Sequence, residues 1–217
     1  MHGVGRFAKR TLDIAISLVA LAFLLIPFAL FGLAIKLEDR GPIFFRQERI
    51  GRRGAPFRVW KFRTMVVGAR TMGLGATVAA DDERITRVGK FLRNLGLDEL
   101  PQLLNVLFGE MSLVGPRPTL AYQVEQYNDH QRRRLDAKPG ITSLAVVSGR
   151  NALLWTERIE LDIQYIDSWT FGLDVRILFR TLWCVLVTRE GLYGADGIND
   201  TFVAEPGSMG DNDHADD

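Results

Sequence analysis

Residues 12–37 read LDIAISLVALAFLLIPFALFGLAIKL, an apolar run charged only at Asp13 and Lys36. Nothing else in the chain restricts its fold as much. As a straight helix the run would reach roughly 39 Å, enough to cross the hydrocarbon core of a bilayer. A soluble helix this apolar all round needs a large protein around it, and the chain has 217 residues. A cleaved signal peptide fits poorly, because the run is too long and no clear small-residue cleavage site follows it. Two membrane arrangements remain. Pro27, near the middle, removes a backbone donor and crowds the preceding turn, which kinks or breaks a helix. Lys9 and Arg10 precede the run and Lys36 and Arg40 close it. The bias that keeps basic flanks cytosolic therefore favours both ends on one face. Those two facts favour a helix–break–helix hairpin. A kinked spanning helix tolerates the same proline, so the residues leave both arrangements open.

The length allows one compact domain beside such an anchor. We expect an N-terminal membrane anchor over 1–40, a catalytic domain at the membrane surface over 41–194, and a tail over 195–217. The tail holds seven of the 26 acids and none of the 27 Lys and Arg residues, which leaves 1–194 at net charge +8. The body is thus basic and suits anionic partners such as lipid headgroups or phosphates. The Gly/Asp/Asn-rich tail has little to bury and reads as disordered. The lone cysteine, Cys184, rules out a disulfide within the chain and fits a reducing compartment.

Beyond the anchor, IFFRQERIG (43–51) and FRVWKFRTM (57–65) alternate with period two around an RRGAP turn, as a β-hairpin does. In the second strand Phe57, Val59, Lys61 and Arg63 fall on one face. Residues 85–95 carry Ile85, Val88, Phe91, Leu92 and Leu95 at helical spacing, with Gly96 as the stop. A second helix starts at Asp98, with Pro101 in its first turn and Leu100, Leu103, Leu104 and Leu107 as its apolar face. Residues 119–137 predict a polar helix containing Arg132, Arg133 and Arg134; 152–169 and 173–188 predict two more. The last is apolar on most of its circumference and suits either a core or a bilayer surface. The fold class expected is α+β, mainly helical, with a small β-hairpin, a re-entrant membrane hairpin and amphipathic surface helices.

Three features could carry chemistry. Asp98 and Glu99 sit together at a helix N-terminus, where carboxylates cap free N–H groups and the dipole favours their charge. The same pair could supply a nucleophile and a Mg2+ ligand: a carboxylate can attack phosphorus, and a neighbouring one can hold a hard cation. In Val114-Gly115-Pro116-Arg117-Pro118, two prolines stiffen the backbone around an arginine, which suits phosphate binding as well as an ordinary turn. The cations Arg46, Arg49, Lys61, Arg63 and Arg93 are either solvated or, for Lys61 and Arg63 on one strand face, aimed together at a phosphate. The sequence holds no G-x-x-x-x-G-K-[ST], G-x-G-x-x-G or G-x-S-x-G and no Cys/His cluster. Triphosphate hydrolysis, Rossmann redox chemistry, zinc catalysis and serine hydrolysis lose ground accordingly.

Taken in order, these pieces resemble the monotopic phosphoglycosyl transferases, bacterial sugar transferases that begin glycan assembly on undecaprenyl phosphate. The matching blocks are KR-x2-D (9–13), the apolar hairpin, GP-x-FF-x-Q-x-R-x-G (41–51), KFRTM (61–65) and DDERITRVGKFLR (81–93). They continue as LDELPQLLNVL (97–107), MSLVGPRP (111–118), KPGIT (138–142) and SGRN (148–151). The resemblance covers residues 9 to about 190 and looks like the small branch built of the catalytic core alone. It implies a re-entrant membrane helix broken at Pro27 and held at the cytosolic face of the bacterial inner membrane. It also implies a ping-pong reaction: Asp98 attacks the β-phosphate of a UDP-sugar and expels UMP, and undecaprenyl phosphate then takes the phosphosugar from the aspartate. Glu99 matches the Mg2+ ligand, Arg93 a cation near the polyprenyl phosphate, and Arg117 a residue that contacts phosphate or nucleotide. Lys61 and Arg63 look like further phosphate-facing cations.

The sequence departs from the family twice. Ile26 stands before Pro27 where serine is usual. After KPGIT the chain reads Ser143-Leu144-Ala145-Val146, without the family's Trp and Gln, so no sugar preference is carried over. Arg150 and Asn151 persist as candidate substrate contacts. The partners expected are a UDP-sugar, undecaprenyl phosphate and the lipid bilayer, with downstream glycosyltransferases and a second copy of the chain as further candidates. No nucleic acid is expected, since no reading helix or stacking motif is present. The competing reading is a catalytically idle membrane scaffold that recruits glycan-assembly enzymes.

Overall fold

The computed structural model describes residues 3–72, 82–149 and 153–184. Arg150, Asn151 and the acidic tail lie outside the described residues. The chain is mostly helical with two small sheets. Helix α1 (Gly3–Asp39) leads into the hairpin β1 (Phe44–Ile50) and β2 (Pro56–Phe62), antiparallel in the register Phe45 opposite Lys61 and Gln47 opposite Val59. A 3-10 turn over Arg52–Gly54 joins the strands, with Arg53 and Gly54 at positive φ (58° and 78°). The hairpin thus forms where the alternation places it.

Helix α2 (Arg87–Asn94) starts at Thr86, whose side chain accepts the Gly89 N–H. A 3-10 turn over Leu97–Gln102 continues into α3 (Leu103–Phe108). Strand β3 (Ser112–Val114) pairs in parallel with β4 (Gly140–Thr142), a two-stranded ladder built from the MSLVGPRP and KPGIT blocks. The helix expected over 119–137 is instead α4 (Ala121–Glu125), α5 (Asp129–Arg132) and a closing 3-10 turn. The reason is local: Asn128 accepts the Gln131 N–H and starts a helix afresh, while buried Tyr127 and Arg134 are drawn into the interior. Helices α6 (Leu144–Ser148), α7 (Trp155–Asp167) and α8 (Phe171–Trp183) complete the body. On α8, Asp174 and Ile177 face inward while Phe179, Leu182 and Trp183 stay exposed.

Among the described residues three apolar clusters hold these pieces: Tyr127, Ile159 and Ile163 form one, and β2 divides the other two. Val59 joins Leu103, Val106, Met111, Leu113, Val114 and Ile177. Phe62, on the opposite strand face, joins Ile35 and Leu92. Helix α1 serves both of these: Ala20, Leu21 and Leu24 pack on the Val59 cluster, and Phe28, Phe31 and Ile35 belong to or pack on the Phe62 cluster. The chain stays helical through Pro27, so the interruption expected there does not appear in the backbone. A proline inside an apolar helix forfeits one hydrogen bond, and neighbouring turns can absorb that loss. The outer face of α1 is bare: Phe23 is 81% exposed and Ile26 72%. The helix is long and apolar enough to cross a membrane.

Candidate active site

The Asp98–Glu99 pair is placed by its flanks. Gly96 takes a left-handed conformation (φ 67°) that turns the chain out of α2 and into the 3-10 turn. Pro101 and Gln102 are buried just downstream. Glu99 does not cap its own helix. Its Oε1 accepts from Lys61 Nζ at 2.8 Å and from Arg117 Nη2 at 2.8 Å, and its Oε2 accepts from Arg117 Nη1 at 3.2 Å. The turn after β3 and the end of β2 thus converge on one carboxylate that remains 18% exposed. Burial raises its proton affinity, but Arg117 and Lys61 outweigh burial and hold the carboxyl well below the usual range. Asp98 is shifted the other way: burial and the neighbouring Glu99 charge raise it, against opposing pulls from Lys61, Arg93 and Arg117. Among the described residues no hydrogen bond reaches the Asp98 carboxyl. Glu99 is pinned and ionised, whereas no such bonds hold Asp98.

Arg93 comes to this pair from the last turn of α2. Its Nε donates to Thr64 Oγ1 at 2.7 Å. The α2–Thr64 approach is close enough that a Cβ on Gly89 would lie 2.0 Å from the Thr64 carbonyl oxygen, so that position requires glycine. Arg63, expected beside Lys61, goes elsewhere. The strand ends at Phe62, and Arg63, 7% exposed, pairs with both oxygens of Asp39 and donates to the Pro42 carbonyl at 2.5 Å. It ties the end of α1 to the hairpin. Arg46 stacks over Trp60 at 4.3 Å, and Arg49 donates to Gln47 at 3.0 Å and to the Pro118 carbonyl at 3.4 Å. Of the five cations singled out, Lys61 and Arg93 act on the acidic pair.

Two positioning residues escape the sequence reading. Asn105 is fully buried; its Oδ1 accepts the Trp60 N–H at 3.0 Å and its Nδ2 donates to the Arg58 carbonyl at 2.8 Å, clamping β2, and with it Lys61, to α3. A lone asparagine within LLNVL is the signal that could have found it. Arg134, read as part of a polar run, is buried; its Nε donates to Asp162 at 2.7 Å and its Nη2 to the Arg117 carbonyl at 3.1 Å. A cleft beside Arg117 is lined by Arg134, Ser143, Val146, Trp155, Arg158 and Asp162. It includes the stretch that departs from the family, now the start of α6, where Ser143 caps the Val146 N–H.

The donor set suits Mg2+ in one respect. Asp98 and Glu99 offer adjacent hard oxygens, and Mg2+ is usually held by one or two carboxylates, with water and substrate phosphate completing its shell. Among the described residues no group of three or more His, Cys, Asp or Glu side chains could cage an ion without substrate.

The family model described as bacterial sugar transferase matches residues 4–188. The chain is 44% identical over 186 residues to the uncharacterized sugar transferase EpsL of Bacillus subtilis, covering 85% of this chain and 89% of that one. It is 41% identical over 203 residues to the undecaprenyl-phosphate galactose phosphotransferase of Salmonella typhimurium, covering 87% of this chain and 42% of the relative. Identity is 39% over 197 residues to the UDP-glucose:undecaprenyl-phosphate glucose-1-phosphate transferase of Escherichia coli, again covering 87% and 42%. The chain therefore spans most of EpsL and less than half of the two longer relatives. A basic, α1-bearing body with a pinned acid beside a free one, matched along nearly its whole length, belongs to the bacterial sugar transferase family.

Proposed function

We propose that the protein transfers a sugar-1-phosphate from a UDP-sugar to undecaprenyl phosphate, in two displacements through a phosphosugar-aspartate on Asp98. The observation that carries this reading is the division of labour in the acidic pair: Glu99 fixed by Lys61 and Arg117, and Asp98 free of hydrogen bonds among the described residues. In the first displacement an Asp98 oxygen forms a bond to the β-phosphorus. The bond from that phosphorus to the oxygen bridging the α-phosphate breaks, and UMP departs with the electron pair. In the second, an oxygen of the lipid phosphate attacks the same phosphorus and the Asp98 carboxylate is released. One anhydride is exchanged for another, so the rate rests on positioning and charge neutralisation. Arg117 and Lys61 are cations at hand for the diphosphate. Arg93, on α2 next to Leu92, which packs with Ile35 of α1, is the candidate for the lipid phosphate. Glu99, with Asp98 beside it, would hold Mg2+, which when bound supplies positive charge to the diphosphate.

The acceptor cannot leave the bilayer, so the site must lie at its surface. The reading includes a re-entrant seat for α1. Residues on both sides of Pro27 pack on the same body, whereas a crossing helix would carry one end away from it. The proposed seat is the cytosolic face of the bacterial inner membrane.

The test is UMP release by purified protein in nanodiscs, from a panel of UDP-sugars with Mg2+ and undecaprenyl phosphate, with Asp98→Asn alongside. Release that needs the lipid and Asp98 is expected. Undiminished release by Asp98→Asn would sink the role given to that residue. No release from any donor would bring the scaffold reading forward.

A further inference from the structure

One turn of α1 grips both segments that build the acidic site. Arg10 Nη1 and Nη2 donate to the carbonyls of Val106 (2.6 Å) and Leu107 (2.8 Å), in the last turn of α3. A cation there satisfies orphan carbonyls and complements the helix dipole. Three residues on, and so on the same face of α1, Asp13 is buried. Its Oδ1 accepts the Leu113 N–H at 3.0 Å and the Ser112 hydroxyl at 3.2 Å. Lys9 adds a bond to the Val114 carbonyl at 2.9 Å and an ion pair with Asp174 at 2.7 Å. The far end of the first gripped segment presents Asp98 and Glu99. The second leads within three residues to Arg117. Their meeting point is the Glu99–Arg117 contact.

We propose that Arg10 and Asp13 are positioning residues of the active site, holding α3 and β3 at the separation that brings Arg117 onto Glu99. The proposal rests on reading Asp98–Glu99 as the reacting pair. Its consequence is that the membrane helix does more than anchor: how α1 seats on the body sets the geometry of the site.

The test compares Asp13→Leu with Asp13→Asn, and Arg10→Met with Arg10→Lys, in nanodiscs. Asparagine keeps an Oδ1 that accepts both bonds, and lysine keeps a cation at the α3 terminus. Three readouts are taken: kcat per folded protein, KM for the donor, and amide exchange in 103–108 and 112–117. Misplacement by about an ångström can cost on the order of a hundredfold in rate, so Asp13→Leu and Arg10→Met should lose about ten- to a hundredfold in kcat with little change in KM for the donor. Exchange in both segments should rise. Asp13→Asn should restore kcat and exchange. If Asp13→Leu does not fold, the Arg10 pair carries the same test. Wild-type kcat and exchange in Asp13→Leu or Arg10→Met would overturn the proposal, as would an equal loss in Asp13→Asn. Asp98→Asn in the same series separates the two ideas: its activity would sink the site itself, whereas its inactivity beside a fully active Asp13→Leu would sink only the positioning role. The exchange readout needs no substrate, so it decides even with an untried donor.

Discussion

Arg117 holds Glu99 with both arms of its guanidinium, Nη2 on Oε1 at 2.8 Å and Nη1 on Oε2 at 3.2 Å. Only a planar fork makes that contact. Arg117→Lys keeps the charge but loses the two-nitrogen grip. A hydrogen bond to a charged group is worth about 1.5–3 kcal/mol, so kcat/KM should fall roughly ten- to a hundredfold, with the fold intact by circular dichroism. Unchanged kcat/KM would show that charge alone suffices at this position.

The two acids predict the pH profile. In the proposed reaction Asp98 attacks as a carboxylate, and burial with the adjacent Glu99 charge raises it above its ordinary 3.8. Rate is lost as pH falls through that raised value, so the acid limb of kcat/KM, which reports the free enzyme, should lie above 3.8. Lys61 opposes the rise, and Lys61→Met should move the limb further up. A limb that moves down would contradict the charge arrangement. The effects on stability have opposite signs. Glu99, depressed when folded, contributes stability above its ordinary value of 4.5, and that contribution is lost as pH falls through its lowered value. Asp98, raised when folded, costs stability as pH climbs from 3.8 through its raised value.

Arg134 and Asp162 form an ion pair that is almost wholly buried, with side chains 2% and 1% exposed. Removing one partner strands the other charge, which costs about 3–5 kcal/mol, whereas replacing both with apolar residues is often neutral. Arg134→Met should therefore lower the thermal midpoint sharply, and Arg134→Met with Asp162→Leu should recover most of the loss. Because Arg134 also holds the Arg117 carbonyl, the double variant should be stable yet slower. Full activity in it would mean that Arg117 is held by other contacts.

What was legible in the sequence was local. The β1–β2 hairpin follows from alternation, α2 from spacing with a Gly96 stop, and the acidic pair from its place at a helix start. The parallel β3–β4 pair was not legible, since its two strands are three residues each and it joins segments far apart in the chain. Arg63 misled because it continues the alternation of β2 by one residue past the point where the strand ends, and its partner Asp39 lies on α1. Arg134 looked like part of a solvated basic run, because burial of an arginine depends on a distant acid that no local pattern announces. The role of Glu99 was half legible: its proximity to Asp98 is in the sequence, but the two cations that fix it arrive from β2 and from the turn after β3.

The seat of α1 gives the last prediction. Lys9, Arg10 and Asp13 bond to the body near one end of the helix, and Phe31, Ile35 and Asp39 engage it near the other. If both attachments persist in the bilayer, the two ends of α1 lie on the same side of it. With Cys184 replaced by serine, single cysteines at Phe7 and Tyr122, both exposed, should react with an impermeant maleimide from the same side of sealed vesicles. Tyr122 reports the body and Phe7 the start of α1. Labelling in inverted vesicles and protection in right-side-out ones would place both at the cytosolic face. If Phe7→Cys and Tyr122→Cys label from opposite sides, α1 spans the membrane, and its contacts near one end must be given up in the bilayer.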